Sequence, residues 1–155
     1  MTIDTLSRSI GRGLVAGLVG TAVMTVSEVV EARIRGRAFS TVPAEAAQKV
    51  LGISTFEDDR AKSRFSDLVH WGYGTGFGVL HGLLRGAGLK GVAASAAHGT
   101  TVWGGGNVVM PTLGVTPPFW LWGRKEIAID VMHHAVYTAA TGIAYSAIER
   151  RGRAA

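Results

Sequence analysis

The stretch that decides the fold runs from residue 91 to residue 123 and reads GVAASAAHGTTVWGGGNVVMPTLGVTPPFWLWG. It contains no Asp, Glu, Lys or Arg, and its small and apolar residues do not alternate with polar ones as in a half-buried strand. A helix needs about 20 predominantly apolar residues to cross a bilayer core. The first part of this stretch, about 91–110, therefore predicts a membrane-spanning helix.

Charge-poor segments of similar length occur three more times. Residues 131–148 and 68–84 also lack all four charged types, and so does the shorter run 13–27. Together these segments predict an all-α fold, a four-helix transmembrane bundle that forms a single integral membrane domain over residues 1–155. The expected spans are about 12–33, 66–85, 91–110 and 127–148.

The composition of the whole chain agrees with this interpretation. Of 155 residues, 47% are hydrophobic and 17% are charged, with 22 glycines and no cysteine. This hydrophobicity excludes a disordered chain, and the lack of cysteine excludes a disulfide scaffold. A soluble four-helix bundle is the alternative, but the last two spans offer too few polar residues to solvate an outer face. The net charge of +5 suggests attraction to the headgroups of the lipid bilayer, because no nucleic-acid-binding motif accompanies it.

The first connection, residues 34–65, carries mixed charges and must be aqueous. Within it, Pro43 precedes apolar residues at helical spacing, which predicts a short helix lying at the membrane interface. Basic residues are divided almost evenly between the two sides of the predicted bundle. The positive-inside rule therefore does not predict the orientation.

Glycines at intervals of four form stripes on the first two spans. Such stripes let helix backbones approach closely in lipid, so they predict helix packing within the chain or between subunits of a homo-oligomer. A flexible gate is the functional alternative. The glycines concerned are Gly13, Gly17, Gly74, Gly78 and Gly82.

Ionisable residues within the spans carry more information about function. At 100° per residue, six polar residues of the fourth span fall within a sector of roughly 100°. They are Glu126, Asp130, His133, His134, Tyr137 and Thr141. Glu28 in the first span and His70 in the second can face this stripe. Titratable groups in a bilayer are costly and usually turn toward the bundle interior.

Three interpretations of these residues stay open. They could fix the bundle by hydrogen bonds between helices, or line a pathway or pocket for a proton or a small polar solute. They could also form a metal or haem site, for which His70, Asp130 and His134 are the candidate ligands. No cofactor is predicted, because no metal-binding motif is present. No nucleophile–base motif is present either, so the chain is not predicted to be an enzyme.

A recognisable pattern runs from the end of the third span into the fourth. It consists of Pro111, Gly114, Thr116, Pro117, Pro118, Glu126, Asp130, His134 and Tyr137. It resembles the pattern of the YagU-like family of bacterial inner-membrane proteins, which is Pro, then Gly-x-Thr-Pro-Pro, then Glu followed by an acidic residue, His and an aromatic residue four, eight and eleven positions later. The sequence from His70 to Tyr73 is similar to the family's His-x-x-aromatic opening of the second span.

The resemblance implies a multi-pass protein of the bacterial inner membrane with no established activity. It gives more weight to His70 and His134 than to His81, His98 and His133. We expect a non-enzymatic membrane protein whose polar core binds or passes a proton or a small solute. The core residues are Glu28, His70, Glu126, Asp130, His134 and Tyr137. A structural or assembly subunit of a membrane complex is the alternative, and a metal- or haem-binding bundle is the third possibility.

Overall fold

The computed structural model describes residues 2–154, and in this range the chain forms helices and no strands. The all-helical prediction is therefore confirmed. Each predicted span lies within one of four long helices, and a short helix occupies the first connection. The α helices are α1 (Ile3–Arg35), α2 (Val42–Leu51), α3 (Asp59–Gly86), α4 (Gly91–Thr112) and α5 (Arg124–Ala154), and a single 3-10 turn covers Phe119–Leu121.

Local signals in the sequence set the helix ends. The hydroxyl of Thr2 accepts a hydrogen bond from the backbone N–H of Thr5, and the carboxylate of Asp58 accepts one from the N–H of Ala61 at 2.6 Å. Both side chains thus cap helix N-termini, as Thr and Asp commonly do. At its other end α1 stops at Gly36, whose φ of +63° places it in the left-handed region that favours glycine.

The closest helix packing is between α1 and α3, where the two predicted glycine stripes meet. A Cβ added to Gly17 would lie 2.6 Å from the carbonyl oxygen of Thr75, and one added to Gly78 would lie 2.6 Å from the Cα of Gly17. Gly13 also contacts Gly78, so backbone packs directly on backbone. These glycines are used within the chain, and a homo-oligomer stays a prediction that would need another surface.

The two remaining glycines of the stripes pack against small side chains or backbone of α1. Gly74 faces Thr21, and Gly82 faces the backbone of Ser9. α1 also packs along α5, whereas α4 packs mainly on α5 and α3. α1 thus makes its main contacts with α3 and α5, and α4 packs on those two helices rather than along α1.

The interior of the bundle is small and polar, and its outer surface is apolar. Between residues 2 and 152, no Leu, Ile, Met, Phe or Trp side chain is buried, and the largest fully buried side chains are those of Tyr and His. Val26, Leu68, Val92 and Ile143, one on each long helix, are 63%, 72%, 85% and 70% exposed. This distribution is the reverse of that in water-soluble domains, whose cores collect large aliphatic side chains.

By length and hydropathy, α1 is the one helix within residues 2–154 that could cross a membrane. The prediction of four spans is therefore supported on this criterion for the first span only. The physical reason lies in the sequences of α3, α4 and α5. These helices contain His, Thr, Ser and Gly, some buried and some exposed, which lower the mean hydropathy even where charged residues are absent.

Candidate functional site

A cavity of about 630 Å³ lies among α1, α3, α4 and α5, near the end of the bundle where α1 stops and α3 begins. Its walls bring together side chains from all four long helices. All six predicted core residues line it: Glu28, His70, Glu126, Asp130, His134 and Tyr137. The structure therefore brings the residues predicted for a polar core together around one cavity.

Carboxylates at the cavity mouth bind two arginines. These are Arg35, the last residue of α1, and Arg37, two positions after it. Arg35 donates to both carboxylate oxygens of Glu126, at 2.7 and 3.2 Å, and to Glu31 at 3.0 Å. Arg37 forms a second ion pair with Glu31. The Arg35 guanidinium holds the pKa of Glu126 below its ordinary value. Both positive charges are thus neutralised by neighbouring acids.

Asp130 is held by an aromatic donor from another helix. The indole Nε1–H of Trp103 on α4 donates to Oδ2 of Asp130 at 2.6 Å. His134, one turn later on α5, donates from Nδ1 to the backbone oxygen of Asp130 at 2.8 Å, and this nitrogen lies 3.6 Å from Oδ1. The carboxylate therefore faces the cavity in a fixed orientation and has no arginine or lysine partner within residues 2–154.

Glu28 and His70 differ in how they are held. Nε2 of His70 donates to the hydroxyl of Thr25 at 2.8 Å, because that hydroxyl gives its own hydrogen to the backbone oxygen of Thr21. The carboxylate of Glu28 makes no hydrogen bond or ion pair with any other part of the chain that the structure describes. Glu28 is thus a carboxyl group in the wall of the cavity that no hydrogen bond or ion pair holds, although the charge of Arg37 acts on it from a distance.

Aromatic rings and unsatisfied polar atoms make up much of the remaining wall. Tyr73, Phe77, Trp103 and Trp122 line the cavity. Buried hydrogen-bonding atoms without a partner are rare in proteins and usually indicate a bound water or other occupant. Three atoms of cavity-lining residues within residues 2–154 are of this kind: Oδ1 of Asn107, Oγ1 of Thr116 and Nε2 of His133.

The proline–glycine segment after α4 ends that helix and closes part of the cavity mouth. Gly114 has a φ of +64°, and the N–H of Val115 bonds back to the carbonyl oxygen of Met110 at 3.0 Å, which terminates the helix. The indole N–H of Trp122 then donates to the carbonyl oxygen of Pro117 at 2.8 Å. Thr116 and Pro117 line the cavity. Pro111, Gly114 and Pro118 shape the segment without lining the cavity.

The short helix α2 is tied to the same segment. The ammonium group of Lys49 donates to the carbonyl oxygens of Leu113 and Gly114, at 2.8 and 2.9 Å. Val42 and Pro43, at the start of α2, line the cavity. The first connection therefore covers the cavity mouth, a position that hydropathy alone did not reveal.

The candidate metal ligands are not gathered into one cluster. Asp130 and His134 are close, but His70 is bonded to Thr25 on α1. Within residues 2–154, no three His, Asp or Glu side chains are placed so that they could hold a metal ion. Tyr137 donates its hydroxyl hydrogen to the carbonyl oxygen of Gly74 at 2.7 Å, which ties α5 to α3 at the base of the cavity.

Two residues of the site were given too little weight, or none, from the sequence. His133, to which the family resemblance gave less weight than His134, is buried and hydrogen-bonded to the hydroxyl of Ser27 at 2.9 Å. Its Nε2 lies 3.8 Å from Glu31, the acid that holds both arginines. Trp103 was also missed. Its position in a charge-free span gave no sign that its indole bonds to a carboxylate.

Comparison of the chain with known protein families, curated protein sequences and solved structures gave no match.

Proposed function

We propose that this chain is a four-span protein of the bacterial inner membrane that binds a small organic cation in its polar cavity and passes it across the bilayer. The proposal keeps the expected non-enzymatic role and the resemblance to the YagU-like family, and it narrows the solute to a cation. The observation that carries it is the carboxyl group of Glu28, which has no ion-pair partner in the described residues and lies near Asp130 in an aromatic-lined cavity.

The distribution of residues supports the membrane part of the proposal. Large aliphatic side chains lie on the outside of α1, α3, α4 and α5, and glycine, alanine, threonine and histidine lie inside. Exposing such an apolar outer surface to water costs free energy, whereas lipid tails solvate it. Small residues at the α1–α3 contact are also typical of helices that associate in lipid. Lipid embedding accounts for both observations.

Charge favours a cation over an anion. Four carboxylates, those of Glu28, Glu31, Glu126 and Asp130, lie at or near the cavity, together with the guanidiniums of Arg35 and Arg37. Glu31 and Glu126 are the acids that bind the arginines. Glu28 and Asp130 form no ion pair with an arginine or lysine in residues 2–154. When both are ionised and the histidines are neutral, the carboxylates of this group outnumber the guanidiniums, and an anionic solute would be repelled.

The aromatic walls favour an organic cation over a hydrated metal ion. The faces of Tyr and Trp attract cations, and such contacts contribute about 2 kcal/mol when desolvated. The cavity volume of about 630 Å³ is in the range of small-molecule sites. Tyr73, Trp103 and Glu28 all line the cavity, so we expect a methylated ammonium ion to bind near these rings with its charge balanced by Glu28. A hydrated metal ion would instead need a cluster of ligands.

Binding of choline to the purified full-length chain in detergent tests the proposal. Choline and its neutral carbon isostere 3,3-dimethyl-1-butanol have nearly the same shape, so a difference between them measures recognition of charge. We expect the wild-type protein to bind choline and not the alcohol, as measured by calorimetry and by fluorescence of the cavity tryptophans. Glu28→Gln should weaken choline binding by about tenfold or more, because each 1.4 kcal/mol changes Kd tenfold.

Glu57→Gln is the matched control, because Glu57 lies exposed in the connection before α3. It should leave choline binding unchanged. Proteoliposome uptake of labelled choline, with Asp130→Asn and His134→Ala as variants, then tests passage. Equal binding of choline and the alcohol, or none of either, would contradict the cation proposal. If the wild type also shows no uptake and the variants fail to fold, the structural-subunit alternative is favoured.

A further inference from the structure

The geometry points to a proton path through the bundle, formed by Tyr137, His98, His81 and Tyr145, which joins the cavity to a polar cleft at the opposite end. This inference rests on the membrane-spanning arrangement proposed above and not on the cation. The cleft has a volume of about 480 Å³ and is lined by residues that include Arg8, Arg12, Arg85, Tyr145 and Glu149. The path would carry protons between two aqueous spaces.

The four rings of the path follow one another at nearly equal intervals. The ring centres of Tyr137 and His98 are 5.4 Å apart, those of His98 and His81 are 5.1 Å apart, and those of His81 and Tyr145 are 5.3 Å apart. Tyr137 lines the cavity and Tyr145 lines the cleft. All four side chains are at least 95% buried. The rings therefore connect the two spaces through the interior, away from lipid.

The far end of the path is charged. The guanidinium of Arg85 lies 5.2 Å from the centre of the Tyr145 ring and forms an ion pair with Glu149. Around His81, the other polar groups come from α4 and α5. Ser95 of α4 and His81 both lie against Gly142 of α5, and Thr141 is on the same face of α5 as Tyr137 and Tyr145. No carboxylate fixes a permanent positive charge on His81 among the groups that contact it in residues 2–154.

Unpartnered atoms identify the groups that can accept a proton. Nε2 of His98 donates to the carbonyl oxygen of Phe77 at 3.0 Å, so in the neutral ring Nδ1 carries the lone pair. Nδ1 of His98, Nδ1 of His81 and the hydroxyl of Thr141 are buried and have no hydrogen-bond partner in the part of the chain that the structure describes. Buried water commonly satisfies such groups, and water can bridge rings at this separation.

The transfer changes only N–H and O–H bonds. A proton from water in the cavity binds Nδ1 of His98 and forms an imidazolium. Transfer of that proton through a bridging water to Nδ1 of His81 restores neutral His98. His81 then gives the proton to the hydroxyl oxygen of Tyr145 while that hydroxyl gives its own hydrogen to water in the cleft, so both groups return to their neutral state. Histidine suits this relay because the lone pair of its unprotonated ring nitrogen accepts a proton, and the imidazolium formed can release it again.

Proton flux into proteoliposomes tests the path. Vesicles contain the full-length chain and a trapped pH-sensitive dye, and a potassium gradient with valinomycin supplies the driving force. No choline is present, so the result does not depend on the cation. We expect flux above that of protein-free vesicles, reduced at least tenfold by His81→Gln and by His98→Gln. Choline binding by the same variants in detergent should stay unchanged, because neither side chain lines the cavity.

Thr138→Val is the control. It removes a buried hydroxyl that bonds to the carbonyl oxygen of His134 within α5 and lies outside the ring series, so flux should remain. Wild-type flux equal to that of empty vesicles, or full flux in both histidine variants, would overturn the path. If a histidine variant does not fold, Tyr145→Phe decides, because it keeps the ring and removes only the hydroxyl. A severalfold loss of flux supports the path, and unchanged flux overturns it.

Discussion

The α1–α3 contact and the region between α3, α4 and α5 are packed by opposite means. Along the first, Gly13, Gly17 and Gly78 bring two backbones into direct contact, and no side chain separates them. In the second, polar rings such as His81 and His98 fill the space and leave hydrogen-bonding atoms without partners. The difference suggests a division of roles. The glycine contact holds the bundle together, so the other region can keep polar groups that stabilise it less.

The largest expected effect comes from breaking the glycine contact with Gly78→Ala. The added Cβ would lie 2.6 Å from the Cα of Gly17, and a backbone atom cannot move aside as a side chain can. Overpacking typically costs 1–3 kcal/mol. Here we expect the upper end, about 3 kcal/mol, in the free energy of unfolding measured by denaturant titration in detergent.

Gly76→Ala on the same helix is the control for this prediction. Gly76 is exposed, and a Cβ there would meet nothing within 4 Å. Because alanine favours helix more than glycine does, this variant should be stabilised by about 0.5–1 kcal/mol. If both variants changed stability equally, the contact between α1 and α3 would not be the feature that holds the bundle together.

A smaller effect is expected on the polar side from Trp103→Phe. This change keeps an aromatic ring and removes the N–H that donates to Asp130 at 2.6 Å. Hydrogen bonds to charged groups contribute about 1.5–3 kcal/mol, so we expect a loss of about 2 kcal/mol in unfolding free energy. Trp120→Phe, at a tryptophan that is 68% exposed, should change it little. An equal loss in both variants would mean that the bond to Asp130 is not what stabilises this side.

The contrast between the two regions also explains what the sequence could predict. The glycine stripes are local patterns, because residues four apart share a helix face whatever the partner helix is. The same reasoning predicted that Glu28, His70 and Asp130 face one another, and in the structure all three line the cavity. Hydropathy averages were less informative. They count every His, Thr, Ser and Gly of α3, α4 and α5 against a membrane span, so a helix can have few charges and still have a low mean hydropathy.

Contacts between side chains that are far apart in the sequence could not be predicted from it. Arg35 and Glu126 are 91 positions apart, and their ion pair depends on how α1 and α5 align along their length. His133 and His134 differ by about 100° around the same helix, and both are polar. Which of them is buried depends on the rotation of α5 against α1. Composition does not encode that rotation, and the structure turns His133 toward Ser27 and leaves His134 beside Asp130.

The smallest effect should come from the ion pair of Arg35 and Glu126 at the cavity mouth. Glu126 is 52% exposed, so solvent weakens the interaction, and surface ion pairs contribute little. Arg35 lowers the pKa of Glu126 in the folded protein, so the pair stabilises the fold above the ordinary glutamate pKa of 4.5, and this contribution is lost as the pH falls through the lowered value. The difference in Tm between wild type and Glu126→Gln should therefore be largest near neutral pH and shrink in acid.

The control is made in protein that already carries Arg35→Gln. Adding Glu126→Gln to that variant should change its Tm little at neutral pH or in acid. A pH-independent difference that persists without Arg35 would assign the stabilisation to the position of Glu126 at the start of α5, where a negative charge also favours the helix.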